Sequence, residues 1–221
     1  MTNSVLKAQL AVFIRTGKAE ALRDYLLSLR NADFRLAGTV LTDKDLWTDA
    51  DIWHFAATLV AANNRAFLGT MLKAAAALVL TTPSPAFADA CTTEVDRRRA
   101  LESLLPRVAS PAEIHELLRL FYAADAPAAT VEPLLFNAGT APAYFVLFNL
   151  LKQHEDDVAY LRRYGIELIR KGDKRSFNLA CIIKEYFALP ELPGTFSLAL
   201  QPYELSRLDT SFDTFLTIIN R

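Results

Sequence analysis

Apolar residues recur along this chain at intervals of three and four, the spacing that gathers them on one face of an α-helix. Leu6, Leu10, Phe13 and Ile14 mark a first face, Gly17 ends it, and Leu22, Tyr25, Leu26 and Leu29 resume one. A helix, a tight turn and a second helix are expected. Asp33 is placed to cap a helix carrying Phe34, Leu36, Ala37, Val40 and Leu41. An acidic stretch, Asp43, Asp45, Asp49 and Asp51, leads into the next helix, whose positive amide end suits Asp49 or Asp51 and whose inward face is Phe55, Leu59 and Ala62. Beyond Asn63-Asn64, the residues Phe67, Leu68, Met71, Leu72, Ala75 and Val79 give a wide apolar surface that predicts a largely buried helix. The stretch 81–91, with Pro83 and Pro85 among small residues, reads as a loop, and is the candidate joint between sub-units 1–80 and 92–221 of a single helical domain 1–221.

The second half opens on the most specific local signal. Ser110-Pro111-Ala112-Glu113 combines an N-cap, a proline where no amide donor is needed and a capping-box glutamate. Ile114, Leu117, Leu118, Phe121 and Tyr122 then form one stripe. Pro127 opens a helix with Val131, Leu134 and Leu135 that ends near Gly139. Thr140-Ala141-Pro142 opens another, apolar on all sides from Ala143 to Leu151 apart from Asn149, as in a central helix. Its successor runs from the charges Glu155-Asp156-Asp157 to Arg170-Lys171-Gly172, with acids at the positive end and bases and a glycine at the negative end. Asp173 caps a helix with Leu179, Ile182, Ile183, Tyr186 and Phe187 in register. Between 189 and 208 the pattern changes: Phe196, Leu198 and Leu200 alternate, predicting an extended docking arm. Phe212, Phe215, Leu216 and Ile219 close the chain as a final inward face.

Composition agrees with the pattern. Leu and Ala supply 35 and 34 of 221 residues, and Gly only 7. The expected fold class is all-α: a multi-helix bundle or a short α-helical repeat of helix hairpins, with ten or eleven helices. Aromatics at Phe34, Phe67, Phe145 and Phe177 give a faint internal echo, but the signature residues of known repeats are not legible.

Charge and chemistry narrow the function classes. The formal net charge is −1, so the whole chain is no polybasic nucleic-acid arm. The longest uncharged apolar run, 74–80, is far short of the ~20 residues of a spanning helix. The run 71–91 imitates a signal peptide but lies deep in helical sequence, and a buried helix with a loop is the reading. Cys91 and Cys181 have no metal or redox spacing, so reduced, inert thiols in a cytoplasmic protein are expected. The three histidines, His54, His115 and His154, form no paired ligand set, and Asp51 with His54 reads as a capping Asp beside a partly buried histidine. Asp43 to Asp51 lacks the glycine and glutamate of a calcium loop. Nucleophile elbows and phosphate-cradling loops are absent, so neither a cofactor nor an active site is expected.

Two basic clusters remain, Arg97 to Arg99 and the window 162–175. In the latter, Arg162, Arg163, Arg170, Lys171, Lys174 and Arg175 outweigh two acids to give +4, with Tyr160 and Tyr164 beside them. The leading expectation is a non-catalytic helical module that binds a protein partner or a second copy of itself, with Phe196, Leu198 and Leu200 as docking arm. The alternative is a nucleic-acid or anion binder using 162–175, where arginine and aromatic residues interleave as on single-strand binding surfaces.

Overall fold

A computed structural model of the chain describes residues 2–41, 43, 46, 49–61, 68, 69, 71–73, 75, 83–122, 127–189, 192 and 198–221. The protein is all-α, and the described residues include no strand. They form thirteen α-helices: α1 (Asn3–Arg15), α2 (Ala19–Ser28), α3 (Asn31–Leu41), α4 (Asp49–Ala61), α5 (Pro85–Ala90), α6 (Glu94–Leu104), α7 (Pro111–Tyr122), α8 (Ala128–Ala138), α9 (Ala141–Leu151), α10 (Val158–Lys171), α11 (Lys174–Tyr186), α12 (Pro202–Leu205) and α13 (Phe212–Ile219). Two short 3-10 turns, Leu105–Arg107 and Lys152–His154, extend α6 and α9. The excess over ten or eleven is in short helices such as α5 and α12, each opened by a proline.

The chain folds as two compact units, Met1–Arg107 with Glu116–Asp125, and Val108–His115 with Ala126–Arg221. In the first, Leu6, Leu10 and Ile14 line the buried face of α1, which packs against α2 and α3, and Gly17 at φ +62° makes the turn between α1 and α2. Helix α3 starts at Asn31, ahead of the expected cap, and Asp33 stands in its first turn, where its charge still faces the positive end. Of the helix expected over 67–79, Leu68, Met71, Leu72 and Ala75 are helical and buried, Gly69 and Lys73 are helical and less buried, and the remaining residues lie outside the described residues. The predicted loop 81–91 holds a helix instead. Ser84 caps α5 by accepting the Phe87 amide at 3.3 Å, Pro85 sits where no donor is needed, and the fully buried Phe87 ring stands 5.3 Å from Trp53 and 6.0 Å from Phe121. Prolines flanked by small residues hid a helix start whose anchor is one aromatic ring.

In the second unit α8 packs on α9, α10 on α11, and α9 and α11 on α13. Helix α9 is buried nearly all round, as expected. Phe148 lies 4.9 Å from Tyr186 and 5.9 Å from Phe215, and Phe145 lies 5.3 Å from Phe215. Full burial of a Phe such as Phe148 contributes about 2–3 kcal/mol. On α13 the buried residues are Phe215, Ile218 and Ile219, and Leu216 faces outward. Of the expected arm 189–208, residues 190, 191 and 193–197 lie outside the described residues; Ala199 takes φ +49° between Leu198 and Leu200, and α12 follows at once. Of the echoing aromatics, Phe145 and Phe177 are half-buried, and Phe67 and the Phe34 side chain lie outside the described residues.

Candidate functional site

Helix α10 organises the polar features of the second unit. Asp157 caps it by accepting the Tyr160 amide at 2.9 Å, and Gly172 at φ +78° ends it. Leu161, Gly165 and Leu168 turn inward. Outward lie Val158, 50% exposed, together with Arg162, Ile166 and Arg170 at helical spacing. Two shallow depressions run along this helix and share Arg163 and Glu167. One, of about 190 Å³, reaches α8 and is lined by Pro133, Phe136 and Tyr164. The other, of about 540 Å³, follows Val158, Arg162, Ile166 and Arg170.

The six basic residues expected to form one surface do not act alike. Arg162 and Arg163 are exposed and have no carboxylate partner among the described residues, and Arg163 lies 5.3 Å above the Tyr160 ring. Arg170 pairs with Glu167 at 2.6 Å, and Arg175 donates to Asn220 at 2.9 Å. Lys174 is exposed. Lys171 turns inward, where its ammonium donates to the Phe136 carbonyl at 2.6 Å and to the Tyr144 hydroxyl at 3.0 Å. It serves the negative end of α8 rather than an outer surface. Gly139, at φ +67°, leaves room for it, since a Cβ there would come within 3.0 Å of Nζ.

Two polar groupings, each built around buried side chains, were not legible in the sequence. In the first, Lys171, Tyr144, Ser176 and Asp173 are joined in a line. Tyr144 is fully buried with its hydroxyl 2.5 Å from Ser176 Oγ, and Ser176 donates on to Asp173. Burial pushes the Asp173 carboxyl up, but the hydroxyl and amide of Ser176 and the Lys171 charge more than offset this and hold it below the usual range.

The second grouping centres on Glu132 of α8, 4% exposed. Tyr160 and Tyr164 both donate to its Oε2, the latter at 3.0 Å. Burial, then the bond to Glu132, pushes the Tyr160 phenol up to about 12, and burial with the Glu132 charge pushes Tyr164 up as well. Among the described residues Oε1 has no hydrogen-bond partner, and His154 Nε2 stands 3.8 Å from it. A lone acid between the apolar Val131 and Leu134 was the available signal.

The other candidates have structural partners. Arg97 donates to the Cys91 and Thr92 carbonyls at 2.9 and 3.1 Å and Arg98 pairs with Glu102 at 2.8 Å, so Arg97 to Arg99 is not one free patch. Burial, with Asp96 adding and Arg97 opposing, raises the Cys91 thiol to about 12, and Cys181 is buried too. His54 and His115 are exposed, and no cluster able to hold a metal occurs among the described residues. No described helix is long and apolar enough to cross a membrane. In the expected docking arm, Leu198 and Leu200 are half-buried, and Phe196 lies outside the described residues. The chain matches no family model, no curated protein and no solved structure.

Proposed function

We propose that this protein is a non-catalytic helical interaction module, and that the outer face of α10 receives an acidic polypeptide segment with an apolar anchor. One observation carries the reading: on the outer face of α10 the apolar Val158 and Ile166 share a row with Arg162 between them and Arg163 beside it, and neither arginine has a carboxylate partner among the described residues. An unpaired guanidinium beside apolar surface is matched by a carboxylate beside an apolar side chain, and the planar fork favours bidentate pairing. The groove against Phe136 and Tyr164 gives the anchor a place to bury area.

The nucleic-acid reading of the same window is the less favoured. Base stacking needs an open aromatic face. Tyr160 has Arg163 over its ring and His154 at 4.6 Å, and Tyr164 packs edge-on to Phe136 at 6.1 Å. The inward Lys171 and the paired Arg170 also weaken the cationic surface that phosphates require.

The test is selection of short random peptides on the full chain, with native mass spectrometry of the free chain alongside. Enriched peptides should combine carboxylates with one aromatic or aliphatic residue. Arg162→Glu with Arg163→Glu should weaken them roughly tenfold or more, while Lys174→Glu with Arg175→Glu leaves them bound. Peptides indifferent to the first pair would remove the α10 face from the reading. A single-stranded oligonucleotide bound through Arg162 and Arg163, with affinity falling steeply in salt, would replace the proposed occupant with nucleic acid. A discrete homo-oligomer dispersed by Leu198→Asp would move the interface to the 198–200 segment.

A further inference from the structure

We propose that the acidic segment received by the α10 face comes from a second copy of this chain, in an antiparallel dimer whose two α10 helices cross at Ala159. The proposal rests on the reading of α10 as a carboxylate-binding face and names its occupant. Counting three and four residues out from Ala159 reaches Asp156 and Glu155 on one side and Arg162 and Arg163 on the other. All four are exposed, and none has an ion-pair partner among the described residues. Asp157 caps the helix by accepting the Tyr160 amide, so the cap does not use the two acids ahead of it.

Acids at the entry of a helix and unpaired arginines one turn further in make a face that fits its own copy. Within one chain the acids stand six to eight residues from the arginines, beyond the three or four at which helix side chains meet. An antiparallel copy crossing at Ala159 lays the entry of each helix over the second turn of the other. Glu155 and Asp156 then lie beside Arg162 and Arg163 of the second copy, and every contact is made twice about the two-fold axis. A parallel pair would set arginine against arginine, so the charges choose the antiparallel arrangement.

The centre of the contact is apolar. Ala159 is exposed and presents only a methyl group, which lets the two axes approach to about 8–10 Å. Val158, 50% exposed, leaves water as the second helix covers it. Both residues line the depression of about 540 Å³ together with Arg162 and Arg163, so the copy seats on a surface that already curves inward. Arg163 lies 5.3 Å above the Tyr160 ring, which restrains its guanidinium before any carboxylate arrives. Exposed ion pairs contribute little each, and a contact one helix wide is at the small end of interfaces, so the dimer is weak and salt-sensitive.

The test is sedimentation of the full chain at low salt, from about 10 μM to about 1 mM, where the native protein should pass from monomer to dimer. An acidic variant, Arg162→Glu with Arg163→Glu, and a basic one, Glu155→Lys with Asp156→Lys, should each self-associate roughly tenfold or more weakly. Mixed in equal amounts they should form a 1:1 heterodimer, because every pair is complementary again. Damage to the fold would explain the first result but not the second. Ala159→Cys lies at the crossing and should cross-link two chains under mild oxidation far faster than Lys174→Cys, since Cys91 and Cys181 are buried. A chain monomeric throughout, a mixture no more associated than its components, or equal cross-linking at both positions would each overturn the dimer. If the basic variant fails to fold, the cross-link decides alone. A monomeric chain whose selected acidic peptides are lost with the acidic variant would overturn the dimer and leave the α10 reading standing, whereas a monomeric chain whose peptides ignore that variant removes both.

Discussion

Leu192 occupies the space that a side chain at position 165 would need. A Cβ built on Gly165, in the middle of α10, would lie 2.5 Å from Leu192 Cδ2 and 2.8 Å from its Cδ1, and Leu192 is 4% exposed. This is why a helix otherwise rich in strong formers carries glycine at a buried position. Two opposed effects meet there: alanine favours the helix by about 1 kcal/mol, and overpacking costs about 1–3 kcal/mol. Gly165→Ala should therefore lower stability in the native chain, by about 1 kcal/mol. In a Leu192→Ala background the same change should become stabilising, because only the helical preference remains. Denaturant unfolding of the four proteins checks the reversal, and a Gly165→Ala effect of one sign in both backgrounds would contradict the packing account.

The thiols give a second expectation. Cys91 is 1% and Cys181 0% exposed, and burial raises the Cys91 thiol to about 12. Because the thiolate is the reactive form, neither should react with a thiol reagent in the native protein at about pH 8, and both should react once guanidinium unfolds it. Labelling of either residue as fast as a free thiol would show that its surroundings open readily.

How far the sequence showed these features depended on how local their causes are. Helix α10 could be bounded from the charges before it and the glycine after it, because caps and dipole charges act within one turn, and Asp173 at the start of α11 was legible for the same reason. The capping signal at Ser110 also held in substance: its hydroxyl accepts the Glu113 amide at 3.3 Å, although the Glu113 carboxylate takes the amide of Ala109 at 3.1 Å rather than that of the cap itself. Lys171 could not be read correctly from its neighbours. Its inward turn depends on Tyr144 and Phe136, 27 and 35 positions away. Glu132 was invisible in the same way, since its donors lie on α10, 28 and 32 positions on. Spacing along a chain reports which residues share a helix face, and not which face another helix will cover.

Near the end of the chain, acid should reveal another tie. Arg221 pairs with Glu204, which is 5% exposed, and the Glu204 carboxylate also accepts the Gln201 amide at 2.9 Å. The Arg221 guanidinium and that amide hold the Glu204 carboxyl below its ordinary range. A carboxyl depressed in the folded state contributes stability that is present above the unfolded value, about 4.3, and is lost as pH falls through the folded one. Glu204→Gln should therefore destabilise the protein at neutral pH and reduce the further loss seen on acidification below about pH 5. Unfolding midpoints followed from neutral pH to about pH 3 check it, and parallel curves for the two proteins would count against the pair.

The line from Lys171 to Asp173 makes the last prediction, because its ends fix the direction of every bond within it. An ammonium only donates and a carboxylate only accepts, so Lys171 donates to Tyr144, Tyr144 to Ser176 Oγ, and Ser176 to Asp173. Tyr144→Phe removes the middle link and leaves Lys171 with the Phe136 carbonyl alone. With Tyr144 at 0% exposure no water enters freely to replace the hydroxyl, and a loss of about 1–3 kcal/mol is expected. Ser176→Ala, also at 0% exposure, should cost a similar amount by stranding the Tyr144 proton. Bonds in series polarise one another, and once either hydroxyl is gone the other has less to lose. The double variant should therefore fall short of the sum by about 0.5 kcal/mol or more, whereas additive losses would mean that the two hydroxyls act as separate local contacts.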